Sequence, residues 1–321
     1  MRVALLCALA ALCGCASRGS TLSKALGSEG APGRVELVDV PLFAQDDYQC
    51  GPAALATALT YSGVALSPSD LTPQVYLPGK EGSLQIEMAA AVRRHGRIGY
   101  LTRPALSAIA AEVRSGRPVV VFQNLGVANL PIWHFAVVVG YSEADDSVVL
   151  HAGRNRSTVM SGFNFVRTWQ LGGSWALVVL RPDELPASND PAGYLKAVAA
   201  GERVGGPDIF VAAYSAALRR WPDNSVAQFG LANALRSSGQ VDAAITEYRR
   251  LIRRHPADAA ALNNFADALN LRGCRVEALA TIDRALAAKP RPELLSVLHQ
   301  TRQEILGGKG KITSETPVCS D

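Results

Sequence analysis

The pattern of apolar and polar positions divides the chain into two halves of different character. From residue 53 to residue 115 apolar residues recur at helical spacing, and from residue 118 onwards short apolar runs alternate with polar turns. The apolar runs predict buried strands at 119–122, 134–141, 147–151, 157–161 and 174–180, with an earlier strand at 35–40. Short connections favour antiparallel pairing. Helices followed by strands predict an α+β domain with a sheet of about five strands.

The second half repeats itself every 34 residues. The columns that keep this period are Trp221, His255 and Lys289, each followed by Pro; Gly205, Gly239 and Gly273; and Tyr214, Tyr248 and Ile282. The period resembles that of tetratricopeptide repeats, in which Pro ends a helix and Gly turns the chain. It predicts three repeats, at about 190–224, 225–258 and 259–291, and a capping helix at 293–306. We therefore expect an all-α tetratricopeptide-repeat solenoid.

Composition agrees with two folded domains. The chain has 321 residues, of which 48% are hydrophobic and 19% are charged, as is typical of folded proteins of this length. The net charge of +4 is small, and the Arg residues are scattered. Nucleic acid is therefore not expected as a partner.

The N-terminus has the pattern of an export signal. Met1 and Arg2 precede an apolar stretch at 3–12, which is too short to span a bilayer. The following Leu12-Cys13-Gly14-Cys15 resembles a bacterial lipobox, which would place a lipid on Cys15; a plain signal peptide is the alternative. Ala16 after Cys15 suggests, by resemblance to Gram-negative lipoproteins, an outer-membrane lipoprotein facing the periplasm.

These features predict six segments along the chain. They are a lipoprotein signal peptide at 1–15, a flexible tether at 16–33, the α+β domain at 34–182, a linker at 183–192, the repeats with their capping helix at 193–309, and a tail at 310–321.

Three cysteines follow the signal, Cys50, Cys274 and Cys319. In an oxidising compartment an odd number predicts one disulfide and one free thiol. Cys274 and Cys319 lie in the same C-terminal region, so they are the expected pair and Cys50 is the expected free thiol. The alternative is that all three are reduced and Cys274 packs between helices.

Cys50 is the first candidate for chemistry. Gly51, Pro52 and an apolar run follow it, and Pro is favoured in the first turn of a helix. Cys50 is therefore predicted at a helix N-terminus, whose partial positive charge would stabilise a thiolate and lower the thiol pKa. A thiolate is the nucleophile of cysteine chemistry. The alternative is a small apolar residue at a helix start.

His134 is the second candidate. It begins a predicted strand, after a loop that contains Asn129, Pro131 and Trp133. A His at the mouth of a strand can reach a helix N-terminus in the same cleft and act as a general base for a thiol; a purely structural His is the alternative. Residues 71–82 are rich in turn formers, and we expect a surface loop near this cleft.

Together these residues resemble a known family. Gln45, the run Cys50-Gly51-Pro52-Ala53-Ala54-Leu55 and the run His134-Phe135-Ala136-Val137-Val138-Val139-Gly140-Tyr141 resemble the C39 and C39-like peptidases, cysteine peptidases of papain-like fold. The resemblance extends over about residues 35–181. It implies that Cys50 is the nucleophile, that His134 is the base, and that Gln45 donates to the oxyanion, a contribution of about 3 kcal/mol in the transition state. No cofactor and no metal are expected.

The sequence departs from that family at the third catalytic position. The family usually has Asp-Pro just after the strand that follows the catalytic His. Here that place reads Leu150-His151-Ala152-Gly153-Arg154-Asn155. His151 or Asn155 could orient His134, or no residue takes this role. The Gly-Gly leader specificity of the family is not carried over.

We expect a lipid-anchored periplasmic cysteine peptidase that hydrolyses a peptide or protein substrate. The groove of the repeats would bind a protein partner or substrate, or the repeats would pack on the peptidase domain. Two alternatives come from other classes. One is a catalytically inactive adaptor with a peptidase fold, and the other is an acyl-transfer enzyme of the amidase or transglutaminase type.

Overall fold

The computed structural model describes residues 21–26, 33–44, 49–153 and 155–307. The helices are α1 (Thr21–Leu26), α2 (Cys50–Tyr61), α3 (Pro68–Val75), α4 (Gln85–Arg94), α5 (Leu106–Arg114), α6 (Gly162–Leu171), α7 (Pro191–Ala199), α8 (Pro207–Arg220), α9 (Ser225–Ser237), α10 (Val241–Arg254), α11 (Ala259–Arg272), α12 (Arg275–Ala287) and α13 (Pro292–Gly307). The strands are β1 (Arg34–Glu36), β2 (Tyr76–Leu77), β3 (Gly82–Ser83), β4 (Ile98–Leu101), β5 (Val119–Asn124), β6 (Trp133–Ser142), β7 (Ser147–Ala152), β8 (Asn155–Ser161) and β9 (Ala176–Leu180).

The first half of the chain is built on one antiparallel sheet. Within the described residues this sheet has seven strands, in the order β4-β9-β5-β6-β7-β8, and β1 pairs with the far end of β6. The predicted α+β class is confirmed, but the predicted five strands are too few. β4 was missed because it is short and Gly99 interrupts its apolar run. β1 spans only Arg34–Glu36 rather than the predicted 35–40.

Alternate side chains along each strand point to opposite faces of the sheet, and an apolar core lies on each face. In β6, Phe135, Val137 and Val139 pack with α2, α3 and α4. Ala136 and Val138 face the other way and pack with α5 and α6. The sheet therefore lies between two helical layers. Residues 51–59 of α2 are all buried, which explains why this helix is apolar on every side.

Residues 71–82 do not form the predicted surface loop. Residues 68–75 form α3, which begins with a capping box between Ser67 and Asp70. Residues 76–83 then form a hairpin of β2 and β3, with a 3₁₀ turn at Pro78–Lys80. Pro73 lies inside α3. Because Pro usually ends a helix, the sequence did not predict α3.

Part of the predicted tether is docked on the sheet domain. Leu22 of α1 is almost fully buried in the same core as α5 and α6, and its N–H donates to Asp146 Oδ1 at 2.9 Å. Residues 21–26 are therefore a packed helix and not a flexible spacer. The remainder of the predicted tether, apart from Gly33, lies outside the described residues.

The second half consists of antiparallel helix pairs. α7–α8, α9–α10 and α11–α12 match the three predicted repeats, and α13 packs on α11 and α12 as the predicted cap. Close approach depends on small residues at fixed positions. A Cβ added to Gly230 would lie 2.4 Å from atoms of the Tyr214 ring, so glycine is what lets α8 and α9 meet.

The repeats continue the core of the sheet domain. Tyr194, Leu195 and Val198 of α7 belong to the same buried apolar cluster as Tyr100 of β4 and as the repeat helices. The first repeat therefore packs on the sheet domain, which was the second of the two possibilities for this region.

The connector between the two regions is held by hydrogen bonds. Buried Glu112 accepts from the Ala187 N–H at 2.8 Å and pairs with Arg117 at 2.7 Å. The Tyr100 hydroxyl contacts Ser188 and Asp190, both at 3.0 Å. The predicted linker is thus fixed to the sheet domain by its own contacts.

Cys50 and Cys274 differ in oxidation state, as the sequence predicted. Cys50 is a free thiol, whereas Cys274 is fully buried and disulfide-bonded. The alternative in which all three thiols are reduced is wrong. The expected partner, Cys319, lies outside the described residues.

Candidate active site

The start of α2 creates the central feature of the site. Cys50 is the first residue of this helix, as predicted, and Gln49 before it makes no side-chain capping bond. Gly51 is needed because a Cβ there would lie 2.6 Å from Ser83 Cβ on β3. The first N–H groups of a helix have no partner within it. Those of Cys50 and Gly51 lie near Cys50 Sγ and favour its thiolate form.

β6 supplies the second predicted residue. His134 is half-buried near the start of β6, where it pairs with Gln123 of β5. The backbone N–H of the next residue, Phe135, lies near Cys50 Sγ and favours its thiolate form. Cys50 and His134 line the same cleft, whose volume is about 1140 Å³. The structure therefore brings the predicted nucleophile and base together, although their catalytic roles stay predictions.

No hydrogen bond joins Cys50 Sγ to the His134 imidazole, and no other described side chain is hydrogen-bonded to that imidazole. Catalytic hydrogen bonds are often long before substrate binds and tighten in the complex. The lack of this bond in the structure is therefore compatible with the predicted roles of Cys50 and His134.

Burial determines the protonation of both groups. Burial raises the pKa of the Cys50 thiol, and the N–H groups of Phe135, Gly51 and Cys50 oppose that rise without cancelling it. Burial also lowers the pKa of His134. The prediction that the helix N-terminus would leave Cys50 with a lowered pKa is therefore wrong, because desolvation of the thiolate outweighs the helix contribution. The resting pair is a thiol beside a neutral imidazole.

Two segments line the cleft, and the first includes part of residues 71–82, which the sequence predicted near it. Lys80, Glu81 and Ser83 of the β2–β3 hairpin form one wall. Pro131, Ile132 and Trp133, together with the end of α6 at 171–173, form the other.

Aromatic rings form the base of the second wall. The Trp133 ring stacks on Phe122 with centroids 5.2 Å apart and planes inclined by 13°. Phe122 in turn contacts Phe135 at 4.6 Å. The surface beside His134 is therefore apolar and well packed.

The structure does not reveal a third catalytic residue. Gln45, the predicted oxyanion donor, lies outside the described residues, as does the side chain of Asn155. His151 is buried in β7, where its Nδ1 lies 3.3 Å from the Pro41 carbonyl oxygen. None of the hydrogen bonds described links His151 to His134. The Pro41 contact instead fixes the segment that precedes α2 in the chain.

The described residues contain no group of three or more His, Cys, Asp or Glu side chains placed to hold a metal ion. None of the described helices combines the length and the apolar character needed to cross a membrane.

An antiparallel sheet with a cysteine at a buried helix N-terminus and a histidine on a facing strand defines a cysteine-peptidase-like domain. Residues 37–173 match the model of the Peptidase C39-like family, and residues 205–251 and 229–291 match that of the tetratricopeptide repeat. The chain thus resembles a C39-like peptidase in its first half and tetratricopeptide repeats in its second, as the sequence predicted.

Two solved structures are similar to the first of these regions. One is described as a C39-like peptidase from Bacillus anthracis, with 17% identity and a TM-score of 0.40 over 46% of this chain and 98% of that one. The other is the peptidase domain of Streptococcus ComA, a bifunctional ABC transporter of a quorum-sensing pathway. It has 19% identity and a TM-score of 0.36 over 44% of this chain and 98% of that one. No curated protein is similar enough to count as a relative.

Proposed function

We propose that this chain is a cysteine peptidase that hydrolyses peptide bonds through Cys50 and His134. The observation that carries the proposal is the pair itself: a free thiol at an uncapped, buried helix N-terminus and a histidine lining the same cleft. The match of residues 37–173 to the C39-like family supports it.

The protonation states favour a general-base mechanism. Neutral His134 takes the proton of Cys50 as Sγ attacks the peptide carbonyl, and a C–S bond forms. His134 then returns this proton to the amine as the C–N bond breaks, which leaves a thioester. Water, deprotonated by His134, hydrolyses the thioester to a carboxylate and restores the thiol. The Cys50 N–H, with Gln45 as the second proposed donor, stabilises the oxyanion.

A labelling experiment tests this proposal against the adaptor. The full chain and its His134→Ala variant are treated with iodoacetamide at neutral pH, and alkylation of Cys50 is followed by mass spectrometry. The proposal expects faster labelling of the wild type, since His134 removes the thiol proton. Equal, slow labelling would support the adaptor, which is favoured by the lack of any described hydrogen bond that orients His134.

Product analysis separates hydrolysis from acyl transfer. Both reactions pass through the same thioester, and they differ only in whether water or an amine attacks it. The full chain is incubated with unfolded casein, with and without a dansylated primary amine. New peptide termini without incorporated amine support the peptidase, whereas incorporation of the amine would support a transglutaminase-type activity.

We also propose that the protein is anchored in the outer membrane by a lipid on Cys15, facing the periplasm, and that the repeats recruit a protein partner or substrate. The sequence from Leu12 to Cys15 supports the anchor, and the repeat match supports a protein partner. Metabolic labelling with a fatty-acid analogue tests the anchor: the Cys15→Ser variant should lose the label that the wild type carries.

A further inference from the structure

Bulky apolar side chains are exposed along one side of the candidate active site. We refer to residues 125–133, which join β5 to the start of β6, as the β5–β6 loop. Its five large apolar side chains are exposed by 39 to 75%, namely Leu125, Val127, Leu130, Ile132 and Trp133. None of the residues in this loop is charged. Contiguous exposed apolar surface of this kind usually marks a binding site.

The β5–β6 loop is held in one conformation by the residue that precedes it. Asn124 is only 2% exposed. Its Oδ1 accepts from the N–H groups of Gly126 and Ile132, both at 2.9 Å, and its Nδ2 donates to the Val127 carbonyl at 3.3 Å. Val127 and Leu130 exchange backbone hydrogen bonds of 3.1 and 3.2 Å across the tip. The apolar surface is therefore pre-organised, which reduces the entropic cost of binding.

This surface is continuous with the cleft. Pro131, Ile132 and Trp133 line the cleft that holds Cys50, and His134 is the next residue in the chain. The Trp133 ring is stacked on Phe122, yet 53% of the residue remains exposed. A ligand bound at Cys50 would therefore share its cleft with an exposed aromatic side chain.

We infer that the β5–β6 loop selects the substrate by binding a bulky apolar side chain of an extended polypeptide close to the scissile bond. An extended chain advances about 3.3 Å per residue, so a loop that adjoins His134 reaches side chains within about two residues of the reacting carbonyl. A membrane is the less favoured occupant, because membrane-binding segments usually carry Lys or Arg and this loop has none. The inference rests on the proposed function for its chemistry, but not for the binding itself.

Peptide binding to the full-length Cys50→Ala protein tests this inference without cleavage. The probes are fluorescein-labelled peptides of about ten Gly and Ser residues that carry either Leu-Phe or Asp-Asp at the centre. The Leu-Phe peptide should bind at least about ten-fold more tightly, as expected for burial of two large side chains. Ile132→Ser combined with Trp133→Ala should remove that preference. The matched control is Phe163→Ser, which changes a 64% exposed residue of α6 and should leave it intact.

The outcomes separate this inference from the proposed function. If wild-type protein cleaves no peptide but Cys50→Ala still prefers Leu-Phe through the loop, the peptidase proposal fails and the inference stands. If cleavage occurs with equal kcat/KM on both peptides in the wild type and the loop variant, the inference fails alone. Equal weakening by Phe163→Ser would also overturn it. So would quenching, by vesicles of brominated phosphatidylethanolamine, of the part of the tryptophan emission that Trp133→Ala removes.

Discussion

The two regions of this protein are stabilised by contacts of different range. In the C39-like domain, Gly51 at the start of α2 lies against Ser83 of β3, and Cys50 lies near the backbone of Phe135 on β6. Both neighbours are far from α2 in sequence. In the repeats, each helix packs mainly on the helix before it and the helix after it. The site therefore depends on the whole sheet domain, whereas the stability of a repeat array is nearly a sum of contributions from neighbouring repeats.

The shared core qualifies that contrast. Tyr194 and Val198 of α7 pack in the core of the sheet domain. The first repeat is therefore stabilised by contacts with both regions. Variants in each region show whether the reactivity of Cys50 and the stability of the repeats can be changed separately.

The largest expected effect comes from the two cysteines. Cys50→Ala should reduce peptide cleavage by on the order of 10³-fold or more, because the nucleophile is lost, and should leave Tm nearly unchanged. Cys274→Ala should instead lower the free energy of unfolding by about 2–4 kcal/mol through loss of its disulfide. Cleavage assays and thermal unfolding of both variants measure this. Full cleavage by Cys50→Ala would refute the thioester mechanism.

The second largest expected effect is the change of the rate of Cys50 labelling with pH. Because the pKa of Cys50 is raised by burial, labelling of Cys50 in the His134→Ala variant should rise about ten-fold per pH unit from about pH 6 to about pH 9. In the wild type, the acid limb of kcat/KM should lie below the usual pKa of His, near 6.5, since burial lowers that of His134. A plateau of labelling below about pH 8 would instead indicate a resting thiolate.

What could be predicted from the sequence follows the same division. The repeats keep a 34-residue period in residues that are close together in the chain, so the sequence was sufficient to place them. The sequence also predicted Cys50 at a helix start and His134 at a strand start, since each position depends on a local pattern.

The features that the sequence did not predict depend on tertiary contacts. The pKa of Cys50 was predicted with the wrong sign because a helix N-terminus is visible in sequence and the burial around it is not. The hairpin beside the cleft was not predicted for the same reason, since it forms only when β2 pairs with β3.

Two core aromatic residues test the boundary between the regions. Tyr194→Ala and Phe265→Ala each remove a large buried side chain, and each should cost about 3–5 kcal/mol. Hydrogen exchange should show lost protection in both regions for Tyr194→Ala, because α7 packs against β4. For Phe265→Ala the loss should be confined to the repeats from α9 onwards. Loss throughout the sheet domain in Phe265→Ala would mean that the whole chain unfolds as one unit.

The smallest expected effect comes from a matched pair of glycines. Gly51→Ala places a Cβ 2.6 Å from Ser83 Cβ, and Gly230→Ala places one 2.4 Å from atoms of the Tyr214 ring. Each should destabilise the protein by about 1–3 kcal/mol through overpacking, measured as the midpoint of urea unfolding. Only Gly51→Ala should also slow labelling of Cys50, since it displaces the start of α2 from β3. If Gly230→Ala slows labelling equally, strain in the repeats reaches the cleft through the shared core, and the separation of chemistry from the repeats is wrong.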